Sequence, residues 1–310
     1  MVNFTPPQVA VPDTAPDDPR LGLLLGRKVG DHTAPKVAII GFPSDEGVRT
    51  NGGRVGAAKA PDAIRHAFYR LTPDAEHADA FRDVVEHTRD GGNLAISGRV
   101  EQDQELLGDV VGGFLSQNVL PIIIGGGHET AYGHFLGYVK ADQEIAILNW
   151  DAHTDVRELK EGKAHSGSPF RQALLHPSQK CRHYRVAGLL PYAVSRSHLD
   201  FIAKHGGQYD WKDALSRERI DEIYRSFSSP VMASFDLDAV DQSYAPGVSA
   251  PAVNGLSADL WLYAAYRAGK CPSVKSLDLV ELNPQFDRDN QTARLAALTL
   301  WFFLKGLSER

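Results

Sequence analysis

The sequence predicts an α/β fold, a single domain of three layers over residues 36–310 built around a parallel sheet of eight strands, with an N-terminal arm at residues 1–35. Short apolar runs alternate with longer amphipathic ones from Lys36 onward, the pattern of parallel strands joined by crossover helices. Several apolar runs, VAII, PIII and IAILNW, are continuous rather than alternating, as expected of strands covered by helices on both faces. No interior Pro/Ser-rich linker, internal repeat or low-complexity block divides the chain.

The first twenty residues, MVNFTPPQVAVPDTAPDDPR, lack a basic start and an apolar stretch of secretory length, so they read as a Pro- and Asp-rich arm. LGLLLG at 21–26 is too short for a bilayer, which needs about 20 apolar residues. Strands are predicted at 37–41, 84–87, 120–125, 145–150, 184–189, 208–211, 231–235 and 274–279. Helices are predicted at 61–70, 103–117, 129–140, 195–205, 216–227, 258–268 and 292–307. Pro61 suits a first helical position and Asn290 a cap before the last helix. Eight parallel strands can close into a barrel or stay open; uneven units and long insertions after Trp150 and Phe235 favour an open sheet. Ligands then bind beyond the carboxyl ends of the strands.

Of 310 residues, 43% are hydrophobic, 33 are basic and 39 acidic, for a net charge of −6. No Lys/Arg run is dense enough for a phosphate backbone, so nucleic acid is excluded as a partner. Two cysteines, Cys181 and Cys271, give neither a disulfide framework nor a thiolate zinc site; free thiols and a cytoplasmic setting are expected.

Chemistry concentrates after three of the strands. PIII is followed by Gly125-Gly126-Gly127-His128-Glu129, where three glycines permit a tight turn that delivers His128 to the sheet rim. IAILN is followed by Asp151, His153 and Asp155 in strict alternation, side chains that share a face at about 6.6 Å spacing in extended backbone. VMASF leads to Asp236 and Asp238, again two apart; such close carboxylates resist joint ionisation unless a cation joins them. Four carboxylates and two imidazoles are too many for one four-coordinate zinc. They suit two divalent ions about 3.5–4 Å apart sharing bridging carboxylates, with oxygen-rich donors pointing toward Mn²⁺. His165, ten residues past Asp155, can fold over the cluster as a proton carrier. Glu281, at the end of the last strand, can hold a cationic amidine or guanidine. The remaining histidines, His32 and His134 among them, read as surface or hydrogen-bonded core groups.

Together GGGHE, NWDAHTD, SFDLDAVD and VELNP resemble, in order and spacing, the ureohydrolase family, the arginase and agmatinase group of binuclear manganese enzymes. The resemblance implies a three-layer α/β/α sandwich with an eight-stranded, mostly parallel sheet. It implies one metal held by His128, Asp151, Asp155 and Asp236, and a second by Asp151, His153, Asp236 and Asp238. It makes His165 the proton shuttle and Glu281 the binder of the substrate cation, with Asp155 and the metals stabilising the tetrahedral intermediate. It further implies a homo-oligomer acting on a small molecule. Asp241-Gln242 departs from a common Asp-Pro but touches no expected ligand.

Within the family, GFPSDEGVRTNGGRVGA, Arg157, APGVSAP and ELNPQFDRDNQTARLAA resemble the branch that hydrolyses N-formimidoyl-L-glutamate to L-glutamate and formamide in histidine degradation. Guanidino-acid hydrolases and the agmatinase or arginase branches, which release urea, are the alternative. A substrate with two carboxylates and its α-nitrogen inside the amidine needs extra cations and no acid for a free ammonium. Arg157 can supply a bidentate guanidinium, Arg54 is a second candidate, and GLLPYA at 188–193 carries no aspartate.

Overall fold

A computed structural model of the chain describes residues 3–15, 17–29 and 35–310; His32 lies outside them. Among the described residues nine strands form one sheet: β1 (Phe4–Thr5), β2 (Val37–Phe42), β3 (Thr88–Leu94), β4 (Leu120–Gly125), β5 (Ile145–Trp150), β6 (Cys181–Leu189), β7 (Gln208–Trp211), β8 (Val231–Asp236) and β9 (Val274–Val280). Their order is β1-β3-β2-β4-β9-β8-β5-β6-β7. Only β1 runs antiparallel to its neighbour, so the sheet is open and mostly parallel, as expected.

Helices α1 (Leu21–Leu24), α2 (Glu46–Asn51), α3 (Ala60–Phe68), α4 (Ala78–Glu86), α5 (Val100–Ser116), α6 (Thr130–Lys140), α7 (Pro169–Leu175), α8 (Arg196–Lys204), α9 (Arg217–Arg225), α10 (Ala258–Lys270) and α11 (Gln291–Ser308) fill the connections. They cover both faces, which explains the continuous apolar strands. Ile122 and Ile124 of β4 and Ala146, Leu148 and Trp150 of β5 pack into one layer with α3, α4, α9, α10 and α11. Ile123, Ile145 and Ile147 pack the other way, against α5, α6, α7 and α8. Each buried Leu or Ile contributes roughly 1.5–3 kcal/mol, so a strand that feeds two layers holds the sheet from both sides.

Three expectations need correction. The strand expected at 84–87 is the end of α4; Phe81 and Val85, one helical turn apart, turn into the core while the chain enters β3 only at Thr88. A ninth strand comes from the arm, where Phe4 pairs with Leu94 of β3. Asn290 occupies the cap position of α11 with φ +55° but makes no side-chain cap. Asp287 does that work, its carboxylate accepting the N–H groups of Thr292 and Ala293 at 2.9 and 3.0 Å.

The arm does not stand apart from the rest. Leu21 and Leu24 are buried in the first core layer, and the N–H groups of Leu21 and Gly22 donate to the carbonyls of Leu71 and Tyr69. Both cysteines are free. Among the described residues no helix is long and apolar enough to cross a membrane.

Candidate metal centre and substrate cleft

Strands β4, β9, β8 and β5 are consecutive across the middle of the sheet, and each delivers acids or histidines to the same carboxyl-end rim. From β4 the three glycines lead to His128. None of them has a positive φ; they serve close approach rather than a left-handed turn. A Cβ on Gly126 would fall on the Ser44 carbonyl oxygen, and one on Gly127 on the Glu129 carboxylate.

The ends of β5 and β8 use one device twice. Asp151 Oδ1 accepts the backbone N–H of His153 at 2.7 Å, and Asp236 Oδ1 that of Asp238 at 2.9 Å. Each aspartate thus shapes the turn that presents the next donor and directs its second oxygen at the centre. His128 Nδ1 lies 2.9 Å from Asp155 Oδ2, 2.9 Å from Asp236 Oδ2 and 3.5 Å from Asp151 Oδ2. His153 Nδ1 lies 3.3 Å from Asp238 Oδ2 and 3.4 Å from Asp151 Oδ1. Two groups result, His128 with Asp151, Asp155 and Asp236, and His153 with Asp151 and Asp238, the donors of each within 4.8 Å of one another.

Two site residues sit in left-handed backbone, Asp155 at φ +45° and Glu281 at φ +70°, a conformation that costs side-chain-bearing residues about 1–3 kcal/mol and collects at functional sites. Glu281 is tied across to the glycine turn: its N–H donates to Gly126 O, and its Oε1 accepts the His128 N–H, both at 2.7 Å.

The electrostatics ask for cations. Burial, then the charges of Asp238 and Asp151, push Asp236 well above the usual carboxylate range. Burial carries Asp238 up to about 6 although His153 opposes it. Burial would lower His128, but the carboxylates around it outweigh that and raise it well above the ordinary imidazole range; His153 is raised chiefly by Asp238. Burial lifts Glu281 up to about 8, with the Asp238 and Glu129 charges adding to it.

Donor chemistry fits a pair of divalent ions. His128 Nδ1 has no hydrogen-bond partner despite three nearby carboxylate oxygens, and Asp238 Oδ1 is likewise unpartnered. Such orphaned atoms are rare in protein interiors and mark a missing ligand. Oxygen and imidazole donors without thiolate suit Mn²⁺ among divalent metals.

Above the centre lies a cleft lined by His153, Asp155, Asp236, Asp238 and Glu281 together with Val48, Asn51, Arg157, Ser166, Gly167 and Ser249. Arg157 is exposed at its edge, its Nη1 3.4 Å from Asn51 Oδ1. Arg54 is not brought there. Its guanidinium donates to the carbonyls of Val248 and Ser249 at 2.5 and 3.2 Å and stacks 4.1 Å from the Phe286 ring centroid. His165 is buried with its ring turned into its own loop, Nε2 2.8 Å from the Glu158 carbonyl and Nδ1 accepting the Gly167 N–H at 3.1 Å.

The profile of the arginase family matches residues 35–304. The chain belongs to that family. A formimidoylglutamase of Chromobacterium violaceum is 35% identical over 289 residues, covering 89% of this chain and 90% of its own. One of Rhodococcus jostii is 37% identical over 275 residues, 84% and 82% of the two chains. The crystal structure of Trypanosoma cruzi formiminoglutamase with manganese superposes with a TM-score of 0.85 at 30% identity, covering 95% of this chain and all of that one. The arginase fold is therefore shared by chain and neighbour over nearly their whole length.

Sequence reasoning missed the residues that stand behind this family's acids and histidines. Asn149 Nδ2 donates to Asp151 Oδ2 at 2.9 Å and Ser234 Oγ meets His128 Nε2 at 2.9 Å. Their signal was present as single polar residues inside apolar strands, Asn in IAILNW and Ser in VMASF.

Proposed function

We propose that the chain hydrolyses N-formimidoyl-L-glutamate, adding water across the amidine carbon and breaking its bond to the glutamate nitrogen, to give L-glutamate and formamide. Two Mn²⁺ ions, held by His128, Asp151, Asp155 and Asp236 and by Asp151, His153, Asp236 and Asp238, would supply an acidified water and polarise the amidine. Glu281, whose buried Oε2 lacks a partner, takes the positive amidinium. Asp155, beyond the carboxyl end of β5, helps to stabilise the tetrahedral intermediate at the same carbon. His165 delivers the proton to the departing glutamate nitrogen, which requires its Nε2 to leave the Glu158 carbonyl.

The observation that carries the substrate choice is the balance of charge along the cleft. Among the described lining residues Arg157 is the one guanidinium, and each lining acid belongs to the metal cages or is Glu281. Nothing there receives a free α-ammonium, which favours a dicarboxylate whose α-nitrogen is already in the amidine over arginine. Arg157 binds a substrate carboxylate at the rim; Arg54 braces the 248–249 loop beside it. On the same reading the enzyme works in the cytoplasm as a homo-oligomer, with residues 36–310 as the catalytic domain.

Mn²⁺-reconstituted protein is expected to release formamide and glutamate in equal amounts from N-formimidoyl-L-glutamate, and no urea from 4-guanidinobutyrate, agmatine or arginine. His153→Ala is expected to lose the ion of its own cage and turnover together. Urea from a guanidino substrate with no formamide from the formimidoyl one overturns the substrate; wild-type turnover of His153→Ala without added Mn²⁺ overturns the centre.

A further inference from the structure

A continuous polar chain runs from the metal centre into the apolar interior. His128 Nε2 meets Ser234 Oγ at 2.9 Å, Ser234 Oγ donates to Asp278 Oδ1 at 2.6 Å, and Asp278 Oδ2 lies 2.6 Å from His134 Nδ1. His134 Nε2 lies 2.6 Å from Ser276 Oγ, which lies 2.5 Å from the Tyr138 hydroxyl. Ser234, Asp278, His134, Ser276 and Tyr138 all have no solvent exposure.

Register explains the alignment. Ser234 of β8 and Asp278 of β9 are direct partners across the parallel ladder. Ser276 and Asp278, two apart, share a face of β9, and His134 and Tyr138, four apart, share a face of α6. Five polar groups are thus set into a layer that is otherwise largely apolar, with Ile, Leu, Val and Phe its main members.

One proton assignment satisfies every link. His128 Nε2–H donates to Ser234, Ser234 to Asp278, His134 Nδ1–H to the other Asp278 oxygen, Ser276 to His134 Nε2, and Tyr138 to Ser276. Two arms then converge on the Asp278 carboxylate, and His128 keeps its Nδ1 lone pair bare toward the three carboxylates of the cage.

We propose that His134 is a positioning residue for the metal centre: by pinning Asp278 it fixes, through Ser234, the ring orientation and tautomer of His128, three hydrogen bonds away. This rests on His128 being a metal ligand. Outer partners of a ligating histidine typically change metal affinity 10–100-fold, and an unpaired buried carboxylate is costly enough to rearrange. The effect is selective. His153 itself makes no hydrogen bond to this chain and meets it only through the shared carboxylates, so the ion at His128 should feel the change more than the ion at His153.

The test is titration of Mn²⁺ into the apo wild type, His134→Leu, His134→Asn and Ser276→Ala by calorimetry, with melting temperatures of the apo proteins in parallel. His134→Leu is expected to weaken one of two sites about tenfold. His134→Asn, whose amide N–H can stand in for Nδ1–H, is expected to return that site to within about threefold of wild type, and Ser276→Ala to weaken it by about threefold. Wild-type affinity in His134→Leu, or in Ser276→Ala should the leucine variant fail to fold, overturns the proposal. So does equal weakening by Leu and Asn that tracks their apo melting temperatures, which would mean core damage only. A wild type that takes up no Mn²⁺ overturns the metal reading itself, a distinct result.

Discussion

Arg157 and Arg54 show how one side-chain type divides its labour according to what it touches. Arg157 is exposed, and its one side-chain hydrogen bond is the 3.4 Å contact to Asn51, so truncating it orphans no buried group and surface changes of that kind stay within about 0.5 kcal/mol of stability. Its guanidinium is free for a substrate carboxylate, a charged hydrogen bond of about 1.5–3 kcal/mol. Arg157→Met is therefore expected to raise KM for N-formimidoyl-L-glutamate about 10–100-fold with kcat changed less than threefold and the melting temperature unmoved; a fall in kcat at constant KM would place Arg157 in the chemistry instead. Arg54 has its Nε and one Nη2 donor tied to the carbonyls of Ser249 and Val248 and its plane stacked on Phe286. No sequence pattern marks a backbone carbonyl as an acceptor, which is why the two arginines look alike until the chain is folded. Asp151, His153 and Asp155 were legible because Asp and His at alternate positions after an apolar strand have few other uses; His128, a single His after three glycines, was legible only beside them. His165 was legible as a residue near the cluster, but not the turn of its ring toward Glu158, which depends on a loop conformation.

Elements fail to read where polar residues do structural work. β3 is TRDGGNL, a composition with little strand propensity, yet it pairs with both β1 and β2. It is polar because it must satisfy Arg65 of α3, which has no exposure: Asp90 takes Nε and Nη2 at 2.8 and 2.9 Å, and Asn93 takes Nη1 at 2.5 Å. The neighbouring VVEH looked more like a strand and is the last turn of an amphipathic helix. The same lesson holds at the start of α11. Asn290 had the right residue type one place before the helix, whereas Asp287 reaches Thr292 and Ala293 from outside it. Replacing Asp287 by Ala is expected to cost about 1–2 kcal/mol in chemical denaturation, the usual worth of a cap. Asn290→Gly is expected to be neutral or slightly stabilising, since φ +55° suits glycine. The reverse ranking would show Asn290 to be the cap after all.

At the scale of the whole molecule the sheet order matters more than any motif. β4 and β5 are successive in the chain, yet β9 and β8 are inserted between them, so donors from residues 128 to 281 meet only when the last two strands are in place. That long-range closure could not be read from spacing, although seven of the nine strands and their parallel sense could be, because double burial leaves so plain an apolar signature; β1 and the polar β3 could not. It also ties metal to global stability. Four carboxylates and two imidazoles gathered from three strands, with Glu281 from a fourth, repel or compete for protons without cations; ions that bind only the assembled sheet stabilise it by mass action. At free Mn²⁺ about 100-fold above a site's dissociation constant the gain is about 2.7 kcal/mol for that site, or about 4 °C in melting temperature for a chain of this size. Melting the protein in EDTA and then in excess Mn²⁺ should recover that shift, and a single substitution in the shared ligand, Asp151→Ala, should abolish it rather than halve it because both cages use that carboxylate. His153→Ala, which strips one cage and leaves His128, Asp155 and Asp236 in place, should keep a part. Equal residual shifts in the two variants would mean that the cages are not joined through Asp151.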